Sequence, residues 1–432
     1  MSEPFRVGLA GLGTVGAEVA RLLLSRSEEF SHRIGRPIAL AGVSARDRHK
    51  ARPFSLDGVP WFDDAVALAR APGLDAFVEL VGGEGDPARS AVAAALAHGR
   101  HVITGNKALI AHHGLALAKL AEAHGGALHF EAAAAGSIPI IKALREGLAA
   151  NRVARVLGIL NGTCNYILTT MEASGRSFED VLAEAQALGY AEADPTFDVD
   201  GMDTAHKLVI LASLAFGCVP DLDGLSVEGI RRVTALDIGF AREFGYRIKL
   251  LGIAEALGDG ISQRVHPAMI PLGSPLADVH GVFNAVMVQG DLAGPSVFEG
   301  RGAGGSPTAS AVISDILDAA RGLKLPAFGR APSQLRRPAP VPIGDLTGPS
   351  YLRFRVLDRP GVLARIAGAL AEHGISIESM IQRGRSPDEP VHIVMVAHEA
   401  RDGALSNALD AIGRSDTVIE PPCMIRILEL PT

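Results

Sequence analysis

Phe5-Arg6-Val7-Gly8-Leu9-Ala10-Gly11-Leu12-Gly13-Thr14-Val15-Gly16 decides the fold of the first third of this chain. Residues 5–10 read as a short buried strand, and the glycines that follow open a helix running through Leu24. A strand, a tight turn and a helix in that order leave backbone N–H groups free at the helix N-terminus, where the helix dipole favours a phosphate. Gly11 permits the turn, Gly13 lets the backbone approach a pyrophosphate, and Gly16 lets helix pack on strand, with Thr14 and Val15 in the same loop. The alternative is a structural turn in a cofactor-free α/β domain. All three spacings and both flanking elements favour the first reading.

Outward from that loop, strands at Ile38–Val43, Ala76–Leu80 and His101–Thr104 alternate with helical segments, including Pro87–His98. Alternation of this kind implies parallel βαβ units and a doubly wound, Rossmann-type nucleotide domain over residues 1–137. After Ile138 the pattern changes. A strand at Val153–Leu160, helices at Tyr166–Glu172 and Phe178–Leu188 and a long helix after Gly201 suggest an α+β substrate and dimerisation domain over 138–306. A helix within 307–325 is expected to pack back on the first domain. Residues 326–349 carry six prolines and read as an exposed linker. Beyond it, a strand at Tyr351–Leu357, a helix at Val362–His373 and strands at Ser376–Gln382 and His392–Ala397 describe a small C-terminal unit over 350–432.

Composition narrows the class. The chain has 432 residues, too many for one ordinary core, and 48% hydrophobic with 21% charged residues is a globular balance. Forty-one basic against forty-eight acidic residues give a net charge of −7, with no basic cluster, which argues against nucleic acid as a partner. Cys164, Cys218 and Cys423 are too few and too scattered for a disulfide framework or a zinc knuckle. No signal peptide and no stretch long enough for a bilayer are read, so a cytoplasmic enzyme is expected.

The end of the second strand bears on cofactor choice. An NAD-specific site places a carboxylate there for the ribose 2′-hydroxyl, whereas this strand ends Ser44-Ala45-Arg46 with Lys50 one turn on. Two cations and a hydroxyl suit a 2′-phosphate, so NADP is favoured, with NAD retained as an alternative. Asp47 weakens the inference, and a solvated basic loop is the competing reading.

The segment Ala185–Lys207 holds Gly189-Tyr190-Ala191-Glu192, then Asp198, Asp203 and Lys207. Asp203 and Lys207 stand four apart, on one helix face, and that pairing alone is usually a surface ion pair. The helix continues Leu208-Val209-Ile210-Leu211-Ala212, apolar on every side, as an interior helix is. A charged pair at its mouth is expensive unless something uses it, and a desolvated lysine is suited to exchange a proton with an alcohol.

This segment resembles the homoserine dehydrogenase signature, with matching spacing throughout. The Gly-rich loop, Thr104-Gly105-Asn106-Lys107, Asn161-Gly162-Thr163-Cys164-Asn165-Tyr166 and Gly302-Ala303-Gly304-Gly305 resemble that family's other blocks in the same order, to about residue 325. The resemblance implies interconversion of L-aspartate 4-semialdehyde and L-homoserine. It makes Lys207 the proton donor and acceptor and Lys107 a second active-site lysine. Glu192, Asp203 and Asp198 would bind substrate with Gly162 and Thr163, and Thr104, Gly189 and Gly305 would contact the cofactor. It also implies a monovalent cation, sodium or potassium, on the backbone carbonyls of Glu131, Ala134, Gly136 and Ile138, and a homodimer or homotetramer. An empty carbonyl loop is the alternative there.

Two further readings compete. Cys164 invites a thiol nucleophile of an aldehyde-oxidising dehydrogenase, which needs a histidine base; His206 is the nearest in sequence, and helical spacing turns it off the Asp203–Lys207 face. A non-catalytic nucleotide and amino-acid sensor is the other, and it has no use for Lys107 or Lys207. The C-terminal unit, through Leu357-Asp358-Arg359-Pro360-Gly361-Val362-Leu363 and Gly374-Ile375-Ser376-Ile377, resembles a ferredoxin-like ACT domain. That resemblance implies threonine as effector, bound near Asp358–Leu363 and Ser376–Gln382; a dimerisation unit without ligand is the alternative.

Overall fold

A computed structural model describes residues 3–383 and 389–430; the outermost residues of the expected first and last domains fall outside these. Strands β1 (Phe5–Ala10), β2 (Ile38–Ser44), β3 (Trp61–Phe62), β4 (Ala76–Glu79), β5 (His101–Thr104) and β6 (Ala127–His129) form one parallel sheet in the order β3-β2-β1-β4-β5-β6. The order reverses between β1 and β4, so the crevice at their C-terminal ends is where a ligand of such a sheet binds. Strands buried on both faces need helices on both sides, and β1 and β4 are almost wholly apolar for that reason. Helix Gly305–Ala320 returns from far along the chain. Its Val312 and Ile316 join Val7, Leu9 and Val19 in one apolar cluster beside helix Thr14–Ser25.

The second sheet is larger. Strands β7 (Val153–Ile159), β8 (Leu225–Val227), β9 (Tyr246–Leu257), β10 (Gly260–Pro271), β11 (Phe283–Gly290) and β12 (Gly294–Arg301) belong to the middle of the chain. Strands β13 (Thr347–Leu357), β14 (Ile377–Gln382), β15 (Pro390–Arg401) and β16 (Cys423–Ile427) belong to the C-terminal unit. All lie in one sheet, ordered β12-β11-β7-β9-β10-β16-β13-β15-β14, with β8 also on β10. Within it the C-terminal unit has the order β16-β13-β15-β14 with two helices, a ferredoxin-like βαββαβ unit that adds helix Asp402–Gly413 and β16 to the elements expected from sequence.

The joint between the bodies is a short parallel pairing, Ala268 with Arg426 and Met269 with Ile427. Beside it Asp237, fully buried, caps helix Ala235–Glu243 and accepts hydrogen bonds from the Tyr351 hydroxyl (2.9 Å) and Arg353 Nε (2.7 Å). Segment 326–349, expected as an exposed linker, is bound along the middle domain. Val219 N donates to Arg336 O (3.0 Å), Ile261 N to Ala339 O (3.1 Å) and Val341 N to Ile261 O (2.9 Å), and Phe328 and Pro332 are buried. Prolines lack an N–H, but the segment's carbonyls at Arg336 and Ala339 still accept and the N–H of Val341 still donates.

Candidate active site

Helix Met202–Phe216 starts at Gly201, whose φ of 90° is natural only to glycine, and buries every residue from Leu208 to Leu214. Asp203 lies in its first turn, 5% exposed. Lys207, one turn on, places Nζ 2.7 Å from Asp203 Oδ2 and 2.7 Å from the carbonyl oxygen of Leu160. Lys107 reaches the same carboxylate from the nucleotide domain, with Nζ 3.0 Å from Oδ1. Asn161, at the end of β7, donates to Asp203 Oδ2 (2.9 Å) and Asp198 Oδ1 (2.8 Å). Burial works against ionisation of Asp203, but the ammonium groups of Lys207 and Lys107 outweigh it and hold the carboxyl far below its ordinary value. At Asp198 burial and repulsion from Asp203 outweigh Asn161 and the same two lysines, and push it up.

These groups wall a cavity of about 570 Å³ between the two sheets. It gathers Lys107, Gly162, Thr163, Gly189, Glu192, Asp198, Asp203 and Lys207 from the sequence-derived set. Glu192 is exposed on its rim, and Thr163 Oγ1 donates to Tyr190 O (2.7 Å), tying helix Gly162–Ser174 to the segment that carries Glu192. Thr104 is fully buried instead. Its hydroxyl donates to Glu79 Oε2 (2.6 Å) and accepts from Asn106 N (2.9 Å), so the side chain holds the loop rather than facing the cavity.

Glu79, not singled out from sequence, organises this edge. Fully buried at the end of β4, it also accepts from Val81 N (2.8 Å) and Gly82 N (2.9 Å). Asn106 caps helix Lys107–Ala123 and donates to Gly83 O (2.6 Å), so one polar lattice fixes the residue before Lys107. A glutamate ending an apolar strand was the available signal.

None of residues 11–16 lines this cavity; Gly304, which does, precedes Gly305 beside Thr14. A Cβ on Gly11 would stand 2.3 Å from Leu80 O and one on Gly16 1.9 Å from Gly11 O, while Gly13 faces open space. Thr14 and Val15 begin the helix that Gly13 caps. Gly305 begins the returning helix with its Cβ position 3.4 Å from Thr14 Cγ2, so two helix N-termini with aligned dipoles meet at one place. At the end of β2, Ser44 O accepts from Gly11 N (2.8 Å), and Arg46 and Lys50 are exposed. Asp47 is turned inward on its own loop, accepting from His49 N (2.8 Å) and Lys50 N (3.0 Å).

Residues 131–138 form a buried turn in which Ala135 (φ 55°) and Gly136 (φ 57°) are both left-handed. The Glu131 carboxylate accepts from Ile141 N and Lys142 N (2.9 Å each), and burial beside Asp315 pushes it up to about 7. The Ile138 carbonyl already accepts from Ile140 N (2.8 Å). Among the described residues no group of three or more His, Cys, Asp or Glu side chains could hold a metal ion. Cys164 is buried with Sγ donating to Asp198 O (3.2 Å), and burial and the nearby acids push its thiol well above its ordinary value. His206 packs on Phe197 and His112. The geometry gives the thiol reading no base.

Comparison with known proteins accounts for all three parts. Residues 139–317 match the family model described as homoserine dehydrogenase, 11–131 its NAD binding domain, and 350–415 the ACT domain. The homoserine dehydrogenase of Neisseria gonorrhoeae is 44% identical over 434 residues, with 99% of each chain covered. The chain belongs to the homoserine dehydrogenase family. Membership makes it an oxidoreductase of amino-acid biosynthesis with a nicotinamide-nucleotide domain and a C-terminal ACT domain. A crystal structure of the homoserine dehydrogenase from Thiobacillus denitrificans is similar over 99% of both chains, with TM-score 0.92 and 44% identity. A hyperthermophilic archaeal homoserine dehydrogenase in complex with NADPH matches 74% of this chain and 99% of its own, with TM-score 0.63 and 27% identity. No helix among the described residues is long and apolar enough to cross a membrane.

Proposed function

We propose that this chain interconverts L-homoserine and L-aspartate 4-semialdehyde with Lys207 as the proton-transfer group. The observation that carries the reading is one buried carboxylate, Asp203, shared by two ammonium groups on a cavity wall. Lys207 has three N–H bonds. Asp203 and Leu160 O take two and fix the third, which is left for the substrate oxygen. A nicotinamide nucleotide held at residues 11–16 would supply the hydride acceptor or donor for the substrate carbon. Lys107 orients substrate and cofactor from the nucleotide-domain side of the same carboxylate, and Glu192 and Asp198 bind the substrate ammonium, with Gly162 and Thr163 beside them.

NADP is the preferred cofactor in this reading, held by residues 11–16 and by Ser44, Arg46 and Lys50. Its support is that the strand is followed by two exposed cations, Arg46 and Lys50, while the Asp47 carboxylate is engaged by the backbone N–H groups of His49 and Lys50. A sodium or potassium ion on the carbonyls of Glu131, Ala134, Gly136 and Ile138 suits the left-handed turn and the two buried acids beside it. Threonine is the proposed effector at the turn 358–363, where Gly361 (φ 89°) opens helix Val362–Glu372, with strand β14. The sheet ends at β12 and β14, edges that suit a homodimer or homotetramer. Three free, buried cysteines suit a reducing, cytoplasmic setting. The test is reduced-nicotinamide absorbance with homoserine and NADP or NAD, with each cation and with threonine added in turn. Absence of turnover with homoserine overturns the reading.

A further inference from the structure

Asn284 is fully buried in the wall of the active-site cavity and belongs to none of the groups assigned above. Ala285 pairs with Ile159 in the antiparallel ladder of β11 and β7, so Asn284 stands one step beyond it, beside Leu160. Its Nδ2 donates to the Leu160 carbonyl (2.9 Å), the same oxygen that accepts from Lys207 Nζ (2.7 Å). A carbonyl oxygen has two lone pairs, and here an amide and a lysine take one each. The amide can face only one way, because turned over it would set its oxygen against that of Leu160. Its Oδ1 is then left buried, with no hydrogen-bond partner among the described residues. A buried acceptor without a donor lowers stability, so holding the fold does not account for Asn284.

Gly302, just past β12, is a second observation. The three atoms that a Cβ there would meet first all belong to the Asn284 amide, closer than non-bonded atoms stand. Its backbone is not left-handed, so the amide against it, rather than the turn, is what calls for glycine. We propose that Asn284 is a positioning residue for the proton transfer: it fixes the Leu160 carbonyl so that Lys207 presents its third N–H to the substrate oxygen, and Gly302 keeps room for the amide. An ammonium is tetrahedral, so two fixed acceptors set the direction of the remaining N–H. One acceptor, Asp203, is held by Asn161 and Lys107. The other is held by Asn284. The proposal rests on Lys207 being the proton-transfer group.

The experiment measures kcat and KM for homoserine oxidation, and thermal unfolding, with the full chain. Asn284→Leu keeps the branched shape while deleting both the donor and the orphan acceptor. Its kcat should fall about tenfold with KM for homoserine within about twofold, and its melting temperature should be no lower than wild type. A residue that only held the fold would do the reverse. In the Lys207→Ala background Asn284→Leu should have no further effect on residual turnover, since the two act as a unit. Gly302→Ala should also cost about tenfold, yet combined with Asn284→Ala it should cost no more than Asn284→Ala alone, because the smaller side chain admits the new Cβ. Unfolding of Asn284→Leu, wild-type kcat in it, or a rise in KM alone overturns the proposal. So does a further tenfold loss on top of Lys207→Ala, or multiplication of the Gly302 and Asn284 losses. Near-normal turnover of Lys207→Ala overturns the proton-transfer reading, and this proposal with it; an inactive Lys207→Ala beside a fully active Asn284→Leu overturns the proposal alone.

Discussion

Asp203 and Lys142 answer the same difficulty with opposite stoichiometry. Asp203 is one buried carboxylate between two lysines, 107 and 207, on the wall of a cavity. Lys142 is one ammonium among several acids: its Nζ lies 3.2 Å from Asp315 and also pairs with Asp318, while Glu131 accepts from its backbone N–H. Both clusters join the nucleotide domain to an element from far along the chain. At Asp203 the surplus charge is positive and the carboxyl is held far below its ordinary value. Around Lys142 it is negative, and burial pushes Glu131 and Asp315 up. The positive surplus faces a cavity; the negative surplus lies beside a left-handed turn.

The contrast is sharpest when each odd charge is removed. Lys142→Met takes from buried Asp315 its cation, beside a Glu131 that is also buried, while Asp318 keeps Arg321. It should cost about 3–5 kcal/mol of stability by denaturant titration, largely restored by added potassium or sodium if the seam holds such an ion. A loss below about 1 kcal/mol would make the cluster an ordinary surface pairing. Lys207→Ala leaves Asp203 still paired with Lys107, so the fold should survive while turnover falls by about a hundredfold or more. Near-normal turnover of that variant would remove Lys207 from the chemistry.

Lys249 is the reference case, a buried ammonium with no carboxylate in contact among the described residues. It is 1% exposed and donates to Asn165 Oδ1 (2.9 Å) and to Val279 O, and burial, then Arg247, lower it to about 8. An unfolded lysine titrates near 10.4, so between about 8 and 10.4 the folded state binds fewer protons and stability rises with pH. Below about pH 8 the penalty is fully present. From pH 7.5 to 9.5, wild type should therefore gain about 2 kcal/mol relative to Lys249→Met in paired denaturant melts. Parallel curves would show that Lys249 stays charged throughout. The smallest effect is expected for Cys164→Ala, which should retain most of its turnover; a folded but inactive variant would restore the thiol reading.

What the sequence disclosed divides along the same lines. The Gly-rich loop and the Asp203–Lys207 pair are local, each within a turn or two, so spacing alone places them. Lys107 on Asp203 is a contact across domains; resemblance marked the residue, but no spacing showed that both lysines share one oxygen pair. Glu79, Asn161 and Lys142 draw their meaning from partners distant in sequence and carry no local pattern. Strands β9 to β12 were not read at all, because β10 (Gly-Ile-Ser-Gln-Arg-Val-His-Pro-Ala-Met-Ile-Pro) mixes polar residues and prolines into a strand buried on both faces. Its Ser262, Arg264 and His266 face the joint with the C-terminal unit, so the absence of alternation recorded a second partner.

That joint sets an order on synthesis. β10 receives part of its free edge only from β16, the last strand of the described chain. At the roughly 5–20 residues per second of translation, Ala268 and Met269 wait about ten to thirty seconds for Arg426 and Ile427 to emerge. Through that interval β8 covers the edge at Gln263–Val265, and the apolar pair Ala268 and Met269 just beyond it stays unpaired. The final stretch of the chain is thus the clasp that shuts this edge against neighbouring ribosomes' products.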